Sequence, residues 1–235
     1  MLVPLERVKI LDRVVLLQLS IVFEDNRAKL TVPIPPNYPN TQVGSLSVLF
    51  EGLINYQRFH YSKHEVRNFM HLYGIDLSKR GLYIAELYVI PRTRAIPLTE
   101  DEQRAFKGLG KRILCRCIPI IVDEWRLNLS TPISLAVASP ISDYQRYEAL
   151  PKRTIVLHII ELANIPDDER QEEMIDLLSN SKEALARSLA YLVANNKLAN
   201  YYTTFGMNRV EEYGYYISMA TSVGIFLQHC SQHVE

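Results

Sequence analysis

Apolar and branched residues fill Val14 to Phe23 and Lys29 to Ile34, and the polar run Glu24-Asp25-Asn26-Arg27 parts them. That pattern predicts two sequential strands closed as a hairpin. Prolines at 33, 35, 36 and 39 then interrupt it. Leu46 to Ile54 predicts another strand, and Lys63 to Leu72 a short helix with Val66, Phe69, Met70 and Tyr73 on one side. From Leu82 the positions alternate, so Ala85, Leu87 and Val89 share one face while Ile84, Glu86, Tyr88 and Ile90 share the other. A carboxylate in the middle of so apolar a strand is unusual.

Next comes Phe106 to Leu114, Phe-Lys-Gly-Leu-Gly-Lys-Arg-Ile-Leu. Thr99 and Glu102 have capping-box spacing, so a short helix can precede the glycines. The competing reading is one helix from Thr99 to Trp125. It would have to absorb Gly108 and Gly110 at about 1 kcal/mol each and Pro119 at about 3 kcal/mol. A break at the glycines is therefore expected, with Pro119 kinking the helix or ending it early. Glycine lets a phosphate approach main-chain N–H groups, and the free amides and positive dipole of a helix start attract anions.

Ile133 to Ala138 predicts a strand, which Pro140 stops. Thr154 to Glu161 is branched and reads as strand-like, Pro166 to Leu178 as helical, and Ser181 to Val193 as an amphipathic helix. Asn195 to Met207 predicts a helix ended by Gly206. The last strands are expected at Val210 to Tyr216 and Tyr216 to Val223, with a helical turn from Ile225 to Cys230.

Glu86-Leu87-Tyr88-Val89, Gly108-Leu109-Gly110, the strand from Ile133 and the run from Asn195 through Tyr202 to Gly206-Met207 resemble the motifs of the GNAT superfamily of acyl-CoA N-acyltransferases. The resemblance covers about residues 82 to 139 and 195 to 219. Ala105 and Leu198 stand where the family carries Arg or Gln and Ala, and Pro91 to Lys107 is longer than is usual there. The resemblance implies an α+β or α/β fold, a GNAT-type mixed central β-sheet flanked by helices, with a helical insertion before the last core helix. Residues 1–235 would form one GNAT-like domain, with a divergent part at 1–80 and the insertion at 141–194, although Thr154 to Glu161 could instead be the fifth core strand.

By the same resemblance, acetyl-CoA is the co-substrate. Leu87 and Val89 would bind its pantetheine arm through backbone groups, and Lys107, Gly108, Leu109, Gly110 and Lys111 its pyrophosphate, with Asn195 completing the cofactor site. Tyr202, four residues before Gly206, would protonate the thiolate, with Tyr201 as its confounder, and Glu86 would be the base, its pKa raised by burial. The implied reaction is direct transfer of an acetyl group to a primary amine in a ternary complex, without metal. The alternative is a catalytically silent GNAT-fold module that binds a protein partner.

Composition adds limits. The 235 residues, 48% of them hydrophobic, suffice for a sizeable core. Lys plus Arg and Asp plus Glu balance at 26 each, so no global field draws in nucleic acid or an anionic membrane. The acceptor, a small molecule or a protein lysine or N-terminus, is not specified. Asp167, Asp168, Glu169, Glu172 and Glu173 would favour a cationic one if they faced the pocket, and the insertion could instead make a homodimer contact. Cys115, Cys117 and Cys230 cannot all pair, and are read as buried apolar residues or a surface thiol in a reducing compartment. The mixed charges of Met1 to Leu17 do not suit a secretory signal and no apolar run is long enough to span a bilayer, so the expected location is cytoplasmic. His60, His64 and His71 have helix-compatible spacing, but no Cys is near and no His-Glu-x-x-His motif is present, and a Gly-x-Ser-x-Gly elbow is missing.

Overall fold

A computed structural model of the chain describes residues 1–10, 13–33, 42–52, 62–89, 108–139, 144–211 and 214–231. It is a mixed α/β protein whose described residues fall into two compact units, each assembled from separate stretches of sequence. One unit joins Met1–Leu53, Lys79–Ile133 and Ser222–Glu235, and the other joins Ile54–Ser78 with Ser134–Thr221.

The first unit is built on a meander: β1 (Leu2–Ile10), β2 (Arg13–Glu24), β3 (Arg27–Pro33), β4 (Gln42–Gly52) and β5 (Arg80–Val89), each antiparallel to the next. Glu24 pairs with Arg27, so the hairpin expected there closes through Asp25 and Asn26. Pairing aligns apolar side chains in rows across one face, Ile21, Leu30, Leu46 and Leu87 in one and Phe23, Ala28, Val48 and Ile84 in the next. Helix α2 (Leu109–Glu124) covers this face with Leu109, Ile113, Leu114, Cys117, Ile118 and Ile121, all fully buried. Burying six such side chains at about 1.5–3 kcal/mol each far exceeds the roughly 3 kcal/mol cost of an interior proline. The helix accordingly runs through Pro119 to Glu124 instead of ending early.

One alternation is corrected. Ser47 pairs with Glu86 but Val48 with Ile84, so Ala85 is an extra residue in β5, a β-bulge. The inserted residue shifts the phase, and Ile84 shares its face with Leu87 and Val89 rather than with Glu86 and Tyr88.

The cysteine reading is corrected as well. Cys115 of α2 and Cys230 of α7 (Val223–Ser231) form a disulfide, and only Cys117 is left as a buried thiol, which burial pushes up to about 12. Pairing of residues 115 apart in sequence is not legible from spacing, because the fold decides which Cα atoms come within bridging distance. Among the described residues no helix is long and apolar enough to cross a membrane.

The second unit contains α1 (Lys63–Tyr73), most of β6 (Pro132–Val137), α3 (Gln145–Glu148), α4 (Lys152–Leu162), α5 (Arg170–Ser179), α6 (Lys182–Thr203), β7 (Asn208–Arg209) and most of β8 (Ile217–Ser222). β8 lies between β6 and β7. Ser62 and Glu65 make a reciprocal capping box at the start of α1, and Gly74, at φ 68°, ends it.

Thr154 to Glu161, read as strand-like, is helical. Its branched residues Ile155, Val156, Ile159 and Ile160 repeat at helical spacing and bury against Leu185, Leu189 and Leu192 of α6, and this packing overrides strand propensity. Ser181 to Val193 and Asn195 onward, expected as separate helices, are one 22-residue helix capped by Ser181. Gly206, at φ 71°, follows its end. Among the described residues the final strands are Asn208–Arg209, which precedes the expected Val210 to Tyr216 instead of falling within it, and Ile217–Ser222, and the C-terminal turn is a nine-residue helix.

Candidate functional site

The glycine turn behaves as its residues demand. Gly108 takes φ 74°, ψ 8°, a left-handed conformation in which a side chain is strained, and α2 begins at the next residue. Among the described residues no side chain caps this start. The amides of Leu109, Gly110 and Lys111 lie in the first turn of α2, where the helix itself supplies no acceptor for them. Gly110 lies inside the first helical turn, so only Gly108 makes the turn itself. Lys111 is half-buried, and burial lowers its pKa. Leu109, assigned to the cofactor, points into the core at 0% exposure, so only its backbone could serve that role. Lys107 and the segment Thr99 to Glu102 lie outside the described residues.

Leu87 and Val89 are half-buried on the α2 side of β5, opposite Leu46 and Gly44. Glu86 faces the other way, opposite Ser47, and is exposed where burial was expected.

Tyr202 belongs to the second unit, as does Asn195, whereas Glu86 and the glycine turn belong to the first. Tyr202 is 5% exposed, its ring tilted against Phe205 and edge-on to Tyr201. Burial pushes its hydroxyl up to about 12. The Tyr201 hydroxyl is raised too, by burial first and then by Tyr202. Asn195 is fully buried, and its Oδ1 accepts the Ser139 N–H at 2.8 Å, which ties α6 to the residue just beyond β6. Its Nδ2 has no partner among the described residues.

Among the insertion's acids, Asp167 pairs with Arg170 at 3.0 Å and Glu173 accepts the Tyr215 hydroxyl, so these two hold local structure. His64 and His71 are exposed on α1, and His60 lies outside the described residues. Among the described residues no three His, Cys, Asp or Glu are grouped to hold a metal.

Sequence reasoning missed Glu211. It is partly buried beside β8, its Oε2 accepts the Ser218 N–H at 2.8 Å, and burial raises its pKa against the lowering effect of that bond. Its signal was one of two adjacent acids, Glu211 and Glu212, between β7 and β8, too short a clue without the strand pairing. No protein-family model, no curated protein and no solved structure is significantly similar to the chain, so its chemistry has to be argued from its own residues.

Proposed function

We propose that this chain is an N-acetyltransferase of the GNAT type, moving the acetyl group of acetyl-CoA to a primary amine by direct transfer in a ternary complex. The observation that carries this reading is the start of α2, where Gly108 in a left-handed turn leads into first-turn helix amides beside Lys111 and Arg112. Backbone donors, a positive dipole end and two cations suit a pyrophosphate. The elements β5, α2, β6 and α6 also follow one another in the chain order that the motifs require.

In such a reaction the amine nitrogen attacks the thioester carbonyl, the C–S bond breaks, and the departing sulfur needs a proton or a hydrogen bond. A hydroxyl at about 12 stays protonated at neutral pH. Full transfer of its proton to a thiolate of ordinary pKa about 8.5 would be uphill, so Tyr202 is better suited to donating a hydrogen bond to sulfur. Exposed Glu86 would act on the acceptor through water.

The silent binding module is the second reading, favoured by that exposure of Glu86 and the burial of Tyr202. Calorimetry with CoA, followed by a free-thiol assay over polyamines, aminoglycosides and lysine peptides, separates the two. Binding with turnover supports the enzyme, and binding without turnover supports the module. Absence of CoA binding would remove the enzyme and leave the module that binds a protein partner.

A further inference from the structure

Two helices of the second unit carry side chains of opposite character at matching intervals. On α1, Lys63, Arg67 and His71 follow one another every four residues, all exposed and off the face that buries Val66 and Phe69. On α5, Glu172 and Asp176 have the same interval, and Asp168 stands four residues earlier in the turn that leads into the helix, all three exposed. Residues four apart lie one above the other, about 6 Å along a helix axis, so α1 shows a basic row and α5 an acidic one. Set antiparallel, the rows coincide, Lys63 against Asp176, Arg67 against Glu172 and His71 against Asp168. We propose that these rows form a docking surface for a second copy of this chain, α1 of each copy lying along α5 of the other in a two-fold dimer.

Neither row is used within the chain. Among the described residues Lys63, Arg67 and His71 make no hydrogen bond or ion pair through their side chains, and the same holds for the carboxylates of Asp168, Glu172 and Asp176. Other charges on these elements are engaged. Glu65 accepts the Ser62 amide in the capping box, Asp167 pairs with Arg170, and Glu173 accepts the Tyr215 hydroxyl. Like charges four apart weaken a helix. Two of the six also oppose the helix dipole, since Lys63 opens α1 and Asp176 lies in the last turn of α5. An opposite row laid alongside relieves both costs.

Apolar side chains stand exposed beside both rows. Met70, three residues after Arg67, is 51% exposed, and Ile175, three residues after Glu172, is 66% exposed, with Leu178 another three along. Apolar groups bordered by charge suit the core and rim of a contact between folded partners. Each row finds its complement on the same chain, and both are exposed there, so two copies satisfy both at once and two-fold symmetry makes the contact twice. No residue of either row belongs to the proposed acetyl-CoA site, so the dimer stands or falls apart from acetyl transfer.

Sedimentation velocity of the full chain over a concentration series tests this. Reversible dimerisation is expected at low salt, and it should be largely lost in about 1 M sodium chloride, where charges are screened within about 3 Å. Arg67→Glu and Glu172→Arg should each weaken dimerisation by about 10-fold or more, because each sets like charges against one another. Both sites are exposed, so helical circular dichroism should be that of the parent. The double variant exchanges the signs of the pair and should dimerise within a few-fold of the parent. A chain that stays monomeric at every concentration, or a dimer that neither salt nor either reversal weakens, would overturn the proposal. So would a double variant that dimerises no better than the single ones, since the two rows would then not face each other.

Discussion

Ile113 of α2 closes directly over Gly44 of β4: a Cβ on that glycine would meet Ile113 Cδ1 at 2.8 Å and the Tyr88 carbonyl at 3.0 Å. Ile113 is fully buried, so its side chain has little room to give way. Gly44→Ala should therefore destabilise the protein by about 1–3 kcal/mol, the usual cost of overpacking. Chemical denaturation measures it, and a variant as stable as the parent would mean that α2 does not seat on β4 this closely.

Gly110→Glu should abolish most acetyl-CoA affinity, because a carboxylate in the first turn of α2 would repel the pyrophosphate proposed there. The same charge near a helix N-terminus is favourable to the fold, so stability should be kept. Calorimetry that found parental affinity in a folded variant would remove this site.

Cys230→Ser, or reduction of the parent, should lower stability by about 2–4 kcal/mol, since the bond closes a long loop of the unfolded chain. The loss should be the same by either route, because Cys117 is buried and its thiol, held near 12, remains protonated. Melting with and without reductant reads this directly. An unchanged transition would show that Cys115 and Cys230 are not joined.

Glu211 carries a pH dependence of definite sign. Its folded pKa is raised, so the neutral form is the one the fold favours, and stability from this group is lost as pH rises through that value. Glu211→Gln removes the charge but keeps an oxygen for the Ser218 N–H. The variant should be more stable than the parent at neutral pH, and the gap should close as pH falls below the ordinary glutamate value of about 4.3. Melting temperatures of the pair across pH would show it, and a gap of opposite sign would refute the burial of this carboxyl.

Tyr202→Phe should slow acetyl transfer by about 10- to 100-fold, the worth of one hydrogen bond to a charged atom. Tyr201→Phe should be nearly silent, because neighbouring helix residues point about 100° apart and only one can face the sulfur. Both keep the ring packing with Phe205. Equal single-turnover rates for Tyr202→Phe and parent would take sulfur chemistry away from this helix.

Local chemistry alone determined much of this protein. The two-residue turn at Asp25 and Asn26, the Ser62 and Glu65 capping box and the break at Gly108 each depend on neighbours within a few residues, so the sequence contains all that is needed to read them. Only the tertiary structure decided the rest. Ile155 to Ile160 became helix because a long-range partner, α6, offered a matching apolar face, and α2 passed Pro119 because the sheet beneath it rewarded burial on both sides of that residue. Ala85 bulged because β4 fixed the register, which turned Glu86 away from α2. Cys115 met Cys230 through a pairing far apart in sequence. Such contacts arise when strands and helices pack, and no periodicity along the chain encodes which distant residues will become neighbours.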